Sequence, residues 1–127
     1  MGYRSEVALA VSKQAMPHFL NVLAKEPESR AMVFKYHDTL REDYDGEGTL
    51  FVAWSDIKWY DSFPEVQAIN DFVQKLEGDE VEGFDLPKGE WQGDHVRFVR
   101  LGENYDDCEE RGELCGFDIH VERSLSY

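Results

Sequence analysis

Residues 31–37, AMVFKYH, decide the topology of this chain. Met32, Phe34 and Tyr36 alternate as a β-strand requires, whereas Met32, Tyr36 and Leu40 would share one face of a helix. REDYDGEG (41–48) follows at once and reads as a hairpin loop, which favours the strand. The next segment, TLFVAWSDIKW from Thr49, is rich in aromatic and β-branched residues with bulk on both faces, so it reads as a central strand. A helix over 31–37 would leave the protein α+β but change its topology.

Working outward, YRSEVALAV (3–11) alternates partly and then turns apolar, as a buried first strand does. Pro17 suits the first turn of a helix. Phe19, Leu20, Val22 and Leu23 give that helix an apolar face, and Pro27 ends it near Ala24 or Lys25. On the other side, Ser62-Phe63-Pro64-Glu65 forms a capping box. Val66, Ile69, Val73 and Leu76, with Phe72 alongside, make a helical stripe that stops at Gly78.

Residues 78–93 have no period and read as a long surface loop pinned by Phe84, Leu86 and Trp91. HVRFVRL (95–101) alternates, with Val96, Phe98 and Arg100 on one side and Arg97 and Val99 on the other. FDIHVERSL (117–125) alternates too, and GENYDDCEERGELCG (102–116) between them reads as an extended hairpin tip. The order strand–helix–strand–strand–helix–strand, plus a closing strand, predicts a single α+β domain over 1–127. Its expected form is a ferredoxin-like sandwich: a mostly antiparallel sheet with two helices on one face.

Charge narrows the partners. The net charge is −14, and residues 41–127 hold 23 of the 27 acids but only 8 of the 13 bases. Such a field favours basic partners and repels nucleic acid. With 42% hydrophobic residues the chain has material for a core. No apolar run approaches the ~18–20 residues that cross a bilayer, and MGYRSEV carries no signal-peptide segment, so a cytoplasmic, membrane-free protein is expected. In a reducing cytosol Cys108 and Cys115 are expected as free thiols, and their spacing builds no zinc site.

The opening MGYRSEVALAV, the central DIKWYDSFPEV and the closing RFVRLGENYDD…VERSLS resemble a group of small acidic, functionally uncharacterised bacteriophage and prophage proteins. The resemblance covers most of the chain apart from 86–93. It implies a viral or mobile-element setting and brings no catalytic residues. Small acidic phage proteins often inhibit host nucleic-acid enzymes or defence systems, which is an analogy of setting only.

Glu103, Asp106, Asp107, Glu109, Glu110 and Glu113 place six carboxylates in eleven positions, relieved by Arg111. A rigid row of this kind can imitate the phosphates of DNA, whereas a solvated loop needs no function beyond solubility. Asp43 to Gly48 partly resembles a calcium loop, but Trp54 stands where the loop needs a bidentate Glu. Of the aromatic cluster, Trp54 reads as core. Trp59 and Tyr60 would point to opposite sides of an extended chain, so one of them is a candidate partner anchor. Arg97, Arg100 and Arg123, on two strands expected to pair, can alternatively present guanidinium groups to the phosphates of a nucleotide signal or pair with nearby acids. His95 and His120 are the one acid–base pair the sequence offers, and His18 and His37 fit no metal-binding spacing.

Together these residues lead to a non-enzymatic phage-type inhibitor or adaptor with no cofactor or metal. Its expected partner is a basic host protein that handles nucleic acid or serves anti-phage defence, met by DNA mimicry through residues 103–113, the 77–94 loop and Trp59 or Tyr60. Homo-oligomerisation is compatible with this reading. The alternatives are a small-ligand sponge, an enzyme and a virion or assembly protein.

Overall fold

The computed structural model describes residues 3–41, 48–77, 95–103, 107–111, 120–121 and 125–126. In chain order the elements are β1 (Ser5–Val11), α1 (Met16–Lys25), α2 (Pro27–Phe34), β2 (Thr39–Arg41), β3 (Leu50–Ile57), α3 (Pro64–Glu77), β4 (Val96–Gly102), β5 (Cys108–Arg111), β6 (His120–Val121) and β7 (Leu125–Ser126). Five strands form one antiparallel sheet in the order β2-β3-β1-β4-β5, and β6 and β7 pair separately.

The first strand is therefore the middle one. Val7 pairs with Trp54 on one side and Arg100 on the other, and Val11 with Leu50 and Val96. The period of two divides the sheet into two faces. Val7, Leu9, Val11, Val52, Trp54 and Phe98 share a cluster with Phe19 and Leu23 of α1, Val33 of α2, and Ile69, Phe72 and Leu76 of α3. Phe19 and Phe72 meet at 4.9 Å between ring centroids, which joins α1 to α3 inside that core. On the opposite face Ala8, Ala10, Phe51, Ala53 and Val99 form a second, smaller buried cluster. β6 approaches β4 and β7 approaches β1.

α1 and α3 form where the sequence places them. AMVFKYH does not become a strand: residues 31–34 are the second half of α2. Pro27 ends α1 and also starts α2, since a proline lacks only an N–H that the first turn leaves unpaired. Glu26 caps the new helix, its carboxylate accepting from the Glu28 amide at 3.4 Å. Ser29 and Val33, four residues apart, then face inward, and Ser29 donates its hydroxyl to the Glu65 carbonyl of α3 at 2.8 Å. Tyr36 is left 63% exposed. The hairpin strand before β3 is Thr39–Arg41 instead, registered against Ala53, Val52 and Phe51.

A second expectation is corrected at the other edge. Among the described residues the outer neighbour of β4 is β5, drawn from the segment expected to be a hairpin tip, and the described pieces of 117–125, His120–Val121 and Leu125, belong to the separate β6–β7 ladder. The register explains the choice, because it sets Arg100 opposite Glu109 and brings Arg97 to Glu110. Among the described residues no helix is long and apolar enough to cross a membrane.

Candidate partner-binding site

β4 and β5 sort the charged residues onto two faces. Arg100 lies on the face of Val7 and Phe98, where its Nη1 and Nη2 donate to the two carboxylate oxygens of Asp107 at 3.2 and 2.8 Å. Its Nε donates to Glu109 at 3.2 Å. Tyr3 adds a hydroxyl donated to Asp107 at 2.5 Å. The Arg100 hydrogen bond, seconded by that of Tyr3, holds the Asp107 carboxyl down to about 2. The same bond to Asp107 holds the Arg100 guanidinium above its ordinary range. Gly102 lets this knot close, because a Cβ there would overlap both the Asp107 carboxylate and the Tyr3 hydroxyl. Arg97 lies on the opposite face, 3.7 Å from Glu110.

Three expected acids are thus already paired with guanidinium groups: Asp107 and Glu109 with Arg100, and Glu110 with Arg97. Glu103 accepts from the Arg4 amide at 3.1 Å. Asp106 and Glu113 lie outside the described residues, as do Arg123, the 78–94 loop, the Asp43–Glu47 stretch and Cys115. The described part of 103–113 is therefore a charge-compensated strand and not a row of free carboxylates. Arg97 and Arg100 point to opposite faces, so they do not converge on one phosphate, and the ordinary cross-strand reading holds for both.

Trp59 is only 8% exposed and packs between Trp54 and Phe98, at 5.6 and 5.7 Å between ring centroids. Tyr60 is half-buried and stacks on Phe63 at 5.1 Å. Trp54 is core, as expected, with its indole N–H donated to the Met32 carbonyl. His95 is buried, its Nδ1 2.8 Å from the Ser12 hydroxyl, and it shares no ladder with His120. Cys108 is a free, exposed thiol.

One depression takes in Glu109 of the expected site together with residues near Trp59 and Tyr60 that the sequence did not single out. β5 lies beyond α3, and the cleft between them encloses about 310 Å³. Glu109 and Arg111 of β5 line one side, 4.0 Å apart. Gln67, Asn70, Asp71 and Gln74 line the other, at the i, i+3, i+4, i+7 spacing of one helix face. Asp61 completes it. Asn70 donates to Asp61 at 3.1 Å and accepts from the Trp59 indole at 3.3 Å, so the buried tryptophan fixes the amide that orients the acid. The cleft carries three carboxylates and three amides against one guanidinium. Sequence reasoning passed over its helical wall because polar residues at that spacing look like any solvated helix face.

The charge is unevenly divided along the chain. The described residues carry 13 acids against 11 bases, so the other segments hold 14 acids against 2 bases. Val11, Leu50 and Val96 are in register at one end of the sheet, with Arg41 and Arg111 nearby in the outer strands.

Compared with protein-family models, with curated proteins and with solved structures, the chain shows no match.

Proposed function

We propose that this chain is a non-enzymatic, phage-type inhibitor or adaptor. It acts in the host cytoplasm by binding a basic surface of a protein that handles nucleic acid or serves anti-phage defence. The observation that carries this reading is the α3–β5 cleft, where Asp61 and Asp71 outnumber Arg111, Glu109 being paired with Arg100, and the Gln67 and Gln74 amides offer carbonyl oxygens. A lysine or arginine side chain entering it would meet the oxygen ligands that it meets at a phosphate backbone. The strand order also supports a ferredoxin-like framework. Its four core strands run β2-β3-β1-β4, α1 and α2 link β1 to β2, α3 links β3 to β4, and β5 is an added edge strand.

The test is an affinity pull-down from host extract at low salt, a salt wash and mass spectrometry, repeated with Asp61→Asn/Asp71→Asn. The partner should elute between low and high salt, should escape the double variant, and should be displaced from this chain by duplex DNA. Retention through the salt wash, or equal capture by the variant, overturns the reading.

A further inference from the structure

On the far side of the turn that precedes α3 lies a second depression, of about 440 Å³. Its character is different: Met32, Tyr36, Trp54, Ile57 and Phe63 supply apolar surface. Its rim carries Asp38, Asp56 and Glu65 against Arg4 and Lys58. Several of these groups are already held in place. The Asp38 carboxylate accepts from the Ser55 amide at 2.6 Å, and the Trp54 indole is tied to the Met32 carbonyl at 3.0 Å. Tyr36, the most exposed large hydrophobic residue described, stands at its edge.

The two depressions are neighbours. Residues 60–63 form a tight turn, in which the Phe63 amide donates to the Tyr60 carbonyl at 3.0 Å and the two rings stack. Asp61 faces the cleft and Phe63 the groove, and further along α3 Gln67 and Glu65 divide in the same way. We infer that the groove is the apolar half of a bipartite docking surface. It takes an aliphatic or aromatic anchor from a segment of the basic partner, whose cationic side chains enter the cleft across the turn. This rests on the reading of the cleft proposed above. Two features select that occupant. The groove lies across the 60–63 turn from a cation-seeking cleft, and both rims carry more acid than base on a chain of net charge −14, which disfavours a second copy of the same chain. Trp59, buried beneath, leaves the anchoring role to this groove.

The probe is a capped peptide with one leucine, a glycine spacer and a run of lysines, paired with a twin carrying serine for the leucine. Both are titrated at low and high salt while the backbone amide resonances are followed. The leucine peptide should bind about tenfold tighter, the amount expected for burying one such side chain. That ratio should persist at high salt, vanish in Tyr36→Ser and survive in Asp61→Asn/Asp71→Asn, with shifts at Met32, Ile57 and Phe63. Equal affinities of the twins, an unchanged ratio in Tyr36→Ser, or no binding of either peptide overturns the inference. A leucine preference with no salt dependence would keep the groove and remove the cationic cleft, so the two readings fail separately.

Discussion

At the scale of single residues, Asp107 is the most heavily engaged acid described, held by Arg100 and Tyr3 together. Its carboxyl titrates near 2 in the fold against 3.8 for the ordinary group, so the unfolded chain takes up the proton first. The stability that the pair contributes is therefore complete above about pH 5 and is lost as the pH falls through 2. Asp107→Asn should cost about 1 kcal/mol at neutral pH, the usual size for an accessible charged hydrogen bond, and should flatten the acid limb. Urea unfolding from pH 2 to 7 reads both effects, and parallel curves for the two proteins would refute the assignment. Gly102→Ala should cost about 1–3 kcal/mol, because the added methyl forces Tyr3 and Asp107 apart. A shifted denaturation midpoint at constant slope is the expected signature.

At the scale of elements, the two sheet faces differ in tolerance. Phe72 fills the large core between α1 and α3, and Phe72→Ala should cost about 3–5 kcal/mol. Ala10 lies on the other face with no exposed surface, so Ala10→Leu should cost about 1–3 kcal/mol by overpacking. A neutral or stabilising Ala10→Leu in thermal unfolding would mean that this face has room to spare. The elements also show where a sequence can be read. α3 is legible because its apolar residues repeat at helical spacing, and the faces of β4 because alternation survives even with Arg97 and Arg100 in it. α2 was misread for a physical reason: its inward pair is Ser29 and Val33, so a buried serine broke the apolar stripe while exposed Phe34 and Tyr36 mimicked strand alternation. β5 was hidden because CEER has no apolar residue except Cys108; the acids that pair it to β4 looked like solvent-facing charge. The cleft was legible only in part, through Glu109 and the neighbourhood of Trp59. Asp61, Asn70 and Asp71 come together only once α3 lies beside β5.

At the scale of the whole molecule, protection should fall outward from the centre of the sheet. Amides of Val7 to Val11, flanked on both sides, should exchange with solvent most slowly, while those of β2 and β5 at the edges should exchange orders of magnitude faster. Native-state hydrogen exchange checks this directly, and uniform protection across the five strands would contradict it. The central place of β1 has one more consequence, for the newborn chain. β1 is made long before its second neighbour, since Ser5 must wait for Gly102. Until translation has passed that point, the apolar run from Val7 to Val11 has an open flank. The interval before it is when a holdase chaperone would matter most to the yield of this protein.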